Sequence, residues 1–424
     1  MDTIFALSSG AAPAGIGVIR VSGPQACAAA ERMAGTLPAP RTARVRPLRD
    51  TAGALLDRAL VLVFPGPTTA TGEDMVELHC HGGRAVIAAV LATLGEQPGL
   101  RPAAAGEFTR RALTNGRIDL AEAQGLADLL SADTERQRIA AIAAAEGVVS
   151  QRVRGWLDRL AMLAALTEAQ LDFSDEDDVA ADDAALTSIR TSKAMLAAEL
   201  QMVLDSPSVD RLRDGIHVVL AGPPNSGKST LINLLAQREL AIVSPIAGTT
   251  RDRIEATVTR DGLVYVLTDT AGLTESDDPI ERIGVARAAA SVEQADVLLW
   301  LDDVPPPRSG PIWVRSRADV PGRASLTGAE ISVAQDDLAS IGRLWTIIAA
   351  RAERLIPRSD ALALREAERL ACRRAWEALV EETGDPLIIG EQLRIAMRLL
   401  GTILGIDATE AMLDTLFGRF CIGK

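Results

Sequence analysis

Between His217 and Leu235 the chain reads HVVLAGPPNSGKSTLINLL, and no other stretch restricts the fold as tightly. An apolar run, a loop of the form Gly222-x-x-x-x-Gly227-Lys228-Ser229 and a second apolar run make a strand–loop–helix unit built to hold phosphate. The glycines let backbone N–H groups close round phosphate oxygens, and the following helix directs its N-terminus at them. Asn225, Ser226, Gly227 and Thr230 are candidate nucleotide contacts; Lys228 reaches the outer phosphates, and the Ser229 hydroxyl is placed to ligate Mg²⁺. Of the 44 basic residues only Lys193, Lys228 and Lys424 are lysine, so a chain that otherwise chooses arginine kept the ammonium inside this loop.

Two further segments fall in the order a GTPase requires. Asp269-Thr270-Ala271-Gly272 ends the strand-like GLVYVLTDT; an Asp at that strand tip supports magnesium, and Gly272 lets its amide approach the γ-phosphate. Between this segment and the P-loop lies Gly248-Thr249-Thr250-Arg251-Asp252, where a switch segment supplies a Thr to the metal, and Thr250 is the candidate. The base-reading position after PIWVR is Ser316-Arg317-Ala318-Asp319 instead of Asn-Lys-x-Asp. Asp319 retains two acceptors for guanine N1 and N2, Ser316 does not replace an Asn amide, and the Arg317 stem retains the reach to stack on the base. Ser332 sits where the last base-contacting loop belongs. Decay of base recognition remains the alternative. Leu273 follows the Asp269–Gly272 segment where a water-orienting Gln is usual, so hydrolysis needs another group. Asn225 suggests a monovalent cation against the phosphates, and Glu281 is a nearby carboxylate for water, although a loop glutamate is more often simply solvated.

Around this block the chain changes character twice. Residues 1–118 mix short strands with turns and read as an α+β domain; 119–213 and 338–424 are Ala/Leu-rich with helical spacing; 214–337 hold the strand-rich P-loop block. The fold class expected is multidomain α/β: an N-terminal α+β domain, an α-helical domain and an inserted P-loop α/β GTPase domain, two separate helical domains being the alternative. The net charge of −13 is uneven: residues 1–118 carry an excess of three positive charges, while 172–183 hold seven acids and no base. Any RNA should therefore meet the N-terminal domain or a basic partner. No unbroken apolar run is long enough for a membrane helix, and the start of the chain lacks a basic leader region. Cys27, Cys80, Cys372 and Cys421 form no CxxC pair, which with the missing leader predicts reduced thiols and a cytoplasmic location. His79 and His81 share a strand face as a minor metal-site alternative.

DTIFALSSGAAPAGIGVIRVSGP, ATGEDMVELHCHGG, AGEFTRRALTNGRIDLAEAQGLADLL, LDFSDEDD, GPPNSGKSTLIN, IVSPIAGTTRD, DTAGL with IERIGVARA, and the terminal GRFCIGK together resemble the MnmE/TrmE family of tRNA-modification GTPases over essentially the whole chain. The resemblance implies a homodimer joined through an N-terminal domain that binds 5,10-methylenetetrahydrofolate, for which 5-formyltetrahydrofolate is an analogue. It implies an FAD-containing partner in a heterotetramer, and installation of an aminomethyl or carboxymethylaminomethyl group on C5 of the tRNA wobble uridine. Carried over by position, folate contacts would be Arg20, Glu77, Arg117 and Lys424; potassium ligands Asn225, Ser244, Ile246 and Thr249; magnesium ligands Ser229 and Thr250. Glu281 falls on the hydrolytic glutamate, and the GTP contacts are those named above. For Cys421 a buried structural thiol is the expectation. The chain departs from the family in AAPAGIG near its start, in Arg117 where Lys is usual, in the altered base motif, and in the short VPPPRSGPIW connection. Rival readings are a potassium-dependent ribosome-assembly GTPase, a regulatory switch without folate chemistry, and a P-loop ATPase.

Overall fold

The computed structural model describes residues 2–174, 183–236, 240–241, 255–270, 292–307, 309–320, 328–358, 361–406, 410–418 and 420–423. The chain divides into two compact units, one of residues 1–127, 144–157 and 400–424, the other of residues 128–143 and 158–399.

In the first unit β1 (Thr3–Leu7), β2 (Ile16–Ser22), β3 (Arg44–Arg49), β4 (Leu55–Phe64), β5 (Met75–His81) and β6 (Leu100–Pro102) form one sheet in the order β3-β4-β5-β2-β1-β6. All pairings are antiparallel except β1 with β6. Alternation sorts the side chains: Ile19, Val21, Val61, Val76, Leu78 and Cys80 enter one core with residues of α1 (Ala26–Ala34) and α2 (Arg84–Gly95). Glu77, His79 and His81 point to the opposite face, where Phe108 of α3 (Glu107–Thr114) clusters with Ile4 and Ala6. The α+β domain expected from the sequence is present, with β3, β6, α1 and α3 added to the four strands and one helix legible in it.

The end of the chain belongs to this unit. After a helix over Glu410–Phe417, Phe417 and Phe420 pack with Ala123. Ile422 then makes an antiparallel bridge with Ala105. Gly423, at φ +99°, lies so close to the Leu7 carbonyl that a Cβ there would collide with it. Arg110 holds Asp414 at 2.9 Å. The described end of the tail, Ile422 and Gly423, is thus seated beside the end of β1.

The sequence from Arg138 to Leu171, which reads as continuous helix, is two helices: α4 (Glu135–Ala145) and α5 (Val148–Ser174). Between them Gly147 takes φ +82°, a conformation that favours glycine, and a Cβ there would stand 2.6 Å from a Glu122 carboxylate oxygen.

In the second unit, seven strands run in the order β13-β12-β11-β7-β10-β9-β8: β7 (Ile216–Ala221), β8 (Leu240–Ala241), β9 (Glu255–Arg260), β10 (Leu263–Asp269), β11 (Val297–Trp300), β12 (Ile312–Arg315) and β13 (Ile331–Ser332). β7 lies between β11 and β10, and β10, β7, β11, β12 and β13 are parallel. Val218, Leu220, Leu267, Leu299, Val314, Leu231 and Trp345 form its core with the P-loop helix and the helix Leu338–Ala352. The P-loop α/β fold and the flanking helices are as expected. α6 (Asp183–Leu204), Glu366–Val380 and Pro386–Gly401 are helices of this unit beyond the sheet, together with α5 from Asp158 on. Lys193 shows why an ammonium was kept there: 6% exposed, it donates to the Glu381 carbonyl at 2.9 Å and to Gln392 Oε1 at 2.6 Å. Among the described residues no helix is long and apolar enough to cross a membrane.

Candidate nucleotide-binding site

Parallel strands end on one side of a sheet, and ligands in α/β folds sit at that side. Here β7 ends at the P-loop, β10 at Asp269, β12 at Arg315 directly before Ser316, and β13 at Ser332, so four segments far apart in sequence arrive at one edge. Gly222 takes φ +152°, and a Cβ on it would stand 2.5 Å from the Leu301 carbonyl oxygen; only glycine lets the loop leave β7 beside β11. Asn225 also has positive φ, +62°. α7 (Lys228–Ala236) starts directly from the loop.

Lys228 is 7% exposed and donates to the Gly222 and Pro223 carbonyls at 3.1 and 3.0 Å. Burial pulls its ammonium below the usual lysine range, and the Asp269 carboxylate opposes that shift. Ser229 Oγ donates to Asp269 Oδ2 at 2.5 Å, which joins the two motifs expected to share magnesium. The neighbouring Thr270 is fixed by its hydroxyl and backbone N–H, both donating to the Leu220 carbonyl. Asp269 Oδ1 and Ser226 Oγ are buried without a partner among the described residues. Buried polar atoms are normally satisfied, so the donor set fits a site completed by phosphate, magnesium and their water. Asn225, Ser229 and Thr230 are exposed.

The altered base motif is attached to the P-loop. Ser316, 4% exposed, donates through Oγ to the Ser226 carbonyl at 2.6 Å. Arg317, at φ +55°, donates from Nη1 to the Asn225 carbonyl at 2.9 Å, and its stem lies against Gly227. Ala318 N–H donates to the Val333 carbonyl, which brings the Ser332 segment beside Asp319; both Asp319 and Ser332 are exposed. Ser316 therefore ties the base loop to the phosphate loop, a role its hydroxyl fills although it is no amide. The tie was not legible in the sequence, because it depends on β12 and β7 ending at the same edge. Ser244, Ile246, Thr249, Thr250, Ala271, Gly272, Leu273, Glu281 and Lys424 lie outside the described residues.

In the first unit Arg20 donates to Glu77 Oε1 at 3.1 and 2.9 Å, and His79 Nε2 stands 3.1 Å from Glu77 Oε2. Burial by itself would raise the Glu77 pKa, but Arg20 and then His79 hold it below the usual carboxylate range. The Arg20 guanidinium also lies 5.7 Å from the Phe108 ring centre. Arg117 is exposed and donates to the Thr69 carbonyl at 3.2 Å, in the loop whose Thr71 meets Ser22 at 2.7 Å, two residues along β2 from Arg20. His79 joins the cluster and was not singled out for it; its alternation with Glu77 on β5 was the available signal. The metal alternative at His79 and His81 finds no support: among the described residues no group of three or more His, Cys, Asp or Glu is placed to hold a metal. Burial pushes the Cys80 thiol between them up to about 12. The expectation for Cys421 fails. Its thiol is exposed, because the tail is anchored by Phe417, Phe420 and Ile422 and leaves the cysteine side outward.

Comparison with known proteins gives two family matches: "GTP-binding protein TrmE N-terminus" over residues 3–117 and "MnmE helical domain" over residues 120–421. Proteins called tRNA modification GTPase MnmE are similar along the whole length. That of Erythrobacter litoralis is 51% identical over 430 residues, covering 100% of both chains. That of Rhizorhabdus wittichii is 52% identical over 434 residues, covering 100% of this chain and 97% of its own. The protein from Sphingopyxis alaskensis is 50% identical, covering 96% of this chain and 100% of its own.

Proposed function

Since the chain belongs to the MnmE/TrmE family of tRNA modification GTPases, we propose that it hydrolyses GTP with magnesium and potassium and so drives modification of the tRNA wobble uridine. In this reading residues 214–337 are a GTPase domain inserted in a helical domain of residues 119–213 and 338–424, behind an N-terminal domain of residues 1–118. The one observation that carries the GTPase half is the Ser229–Asp269 contact, which unites P-loop and strand-tip carboxylate at one sheet edge. Lys228, Ser226 and the loop amides would bind the phosphates; Ser229 and Thr250 would hold magnesium, which when bound neutralises charge on the phosphates. Asn225, Ser244, Ile246 and Thr249 would hold potassium, Asp319 and Ser332 would read the base, and Glu281 would orient water.

The modification half assigns Arg20, Glu77, Arg117 and Lys424 to a tetrahydrofolate that supplies the one-carbon unit, and requires an FAD-containing partner and an N-terminal homodimer. The Arg20–Glu77 pair supports it: a cation and a carboxylate face each other on the sheet side not filled by α1 and α2, and a folate has an acidic tail for the one and ring N–H donors for the other. Mass spectrometry of wobble nucleosides in tRNA from a deletion strain tests the reading. Loss of the C5 substituent, restored by the wild-type gene, is expected. A normal nucleoside profile would refute it.

A further inference from the structure

β3 is an edge strand, and its sequence, RVRPLR, is unusual for one that packs against a core. Only Leu48 is buried; Arg44, Val45 and Arg49 are exposed. Arginine and proline on an edge deter pairing with another strand, which explains Pro47 and part of the charge. They do not explain how the charge is distributed. The segment 41–58 holds Arg41, Arg44, Arg46, Arg49 and Arg58 against Asp50 and Asp57, an excess of three. That equals the whole positive excess of residues 1–118, so the rest of the N-terminal domain is balanced.

Both local acids are turned to other work. Asp50 Oδ1 accepts from the Ala52 and Ala54 N–H groups in the turn after β3. Asp57 accepts from the His81 backbone at 2.8 Å and lies 2.7 Å from its Nδ1. Elsewhere in the unit, Arg20, Arg101, Arg110, Arg111 and Arg154 each hold a carboxylate. Among the described residues none of the five edge arginines does. Three instead donate to backbone carbonyls: Arg41 to Thr68, Arg46 to Thr36 and Arg49 to Gly53, at 2.7, 2.9 and 2.8 Å. Each bond orients a guanidinium without neutralising it, and leaves further N–H groups for an acceptor. Arg44 to Arg49 spans ~17 Å of strand.

We propose that this arginine edge, β3 with Arg41 and Arg58, is the surface on which the N-terminal domain receives the sugar–phosphate backbone of RNA. Charge complementarity names the occupant: an acidic chain that concentrates uncompensated guanidinium groups along one solvent edge presents them to a polyanion, and backbone-held forks match phosphate oxygens. The proposal rests on the tRNA reading above and adds the place of contact.

The test compares the full-length chain with an Arg44→Gln/Arg46→Gln/Arg49→Gln variant, and with Arg138→Gln, which removes an exposed arginine paired with Glu135 far along the sequence. Binding of unmodified tRNA is followed by fluorescence anisotropy from 50 to 300 mM KCl, with GDP affinity and a thermal melt on the same preparations. The triple variant should lose on the order of 100-fold in tRNA affinity near 0.1 M salt, and its log–log salt slope should fall by about two to three. GDP affinity should hold, and Arg138→Gln should match the wild type. An unchanged slope in the triple variant, with the wild type binding tRNA, would overturn the edge assignment alone. Absence of tRNA binding by the wild type at low salt would overturn the tRNA reading with it.

Discussion

Ser316→Ala tests whether the base loop works through the P-loop. The Ser316 side chain is buried, and its hydroxyl donates to the Ser226 carbonyl at 2.6 Å, inside the loop expected to wrap the phosphates. Removing the donor leaves a carbonyl unpaired where little water reaches, which costs about 1–3 kcal/mol. If that penalty falls on the nucleotide-ready arrangement, GDP affinity drops by about 5- to 150-fold. The loss should be blind to the base, because the hydroxyl touches the phosphate loop and not the ring. Asp319→Ala should do the opposite, reducing the preference for GDP over ADP with a smaller effect on ADP itself. Isothermal titration with GDP and ADP on wild type and both variants reads the two effects separately. The wild type should still favour GDP, since Asp319 keeps two acceptors that adenine does not match. If Ser316→Ala stays within about twofold of wild type for GDP, or shifts the GDP/ADP ratio, the tie does not position the P-loop as argued.

Hydrolysis should be faster in KCl than in NaCl at equal ionic strength, as Asn225 in the P-loop and Leu273 in place of glutamine suggest; equal rates would remove the cation. Glu281→Ala should lower kcat while nucleotide affinity changes little, since a water-orienting group acts only in the transition state; a collapse of affinity with kcat intact would make Glu281 structural. Deleting residues 421–424 should weaken tetrahydrofolate binding and leave GTP hydrolysis largely intact, because Ile422 and Gly423 seat the tail on the first unit at Ala105 and Leu7; unchanged folate affinity would place Lys424 outside the site. Burial raises the Glu368 pKa from 4.5 to about 7, opposed by Arg365, whose backbone N–H it accepts. The folded chain then holds that proton more tightly than the unfolded one, so this group's contribution to stability falls as pH rises from about 4.5 to about 7. Glu368→Gln should therefore match wild type near pH 4 and exceed it at pH 8 by at most about 3 kcal/mol, read from denaturant melts; equal curves at both pH values would show that the carboxyl is not strained by burial.

Local pattern was enough for much of this molecule. The P-loop identified its own strand and helix because phosphate binding restricts glycine positions and flanking polarity within a few residues. Alternation in MVELHCHGG separated core from open face, and the Ala/Leu periodicity located most helices. Local pattern failed where a neighbour decides. β3 escaped detection because an edge strand needs little apolar surface, and its arginines obscured it. The long segment from Arg138 looked continuous because a single glycine weakens a helical pattern without showing that the chain turns; the close approach of Glu122 to Gly147 settles that. The helix beginning at Glu366 starts five residues later than its apolar spacing suggests, since the Glu368 carboxylate accepts from the Arg365 backbone N–H, a cap that only the folded backbone presents. The chain alone therefore determined that there is a nucleotide loop, which carboxylate should serve it, and that a charged N-terminal domain accompanies it. The tertiary structure decided what Ser316 holds, that Cys421 faces outward, and that the surplus arginines share one edge. The first two depend on residues 90 and 317 positions apart meeting in space, and the third on β3 falling at the end of its sheet; sheet order and packing set all three and leave no short-range trace in the sequence.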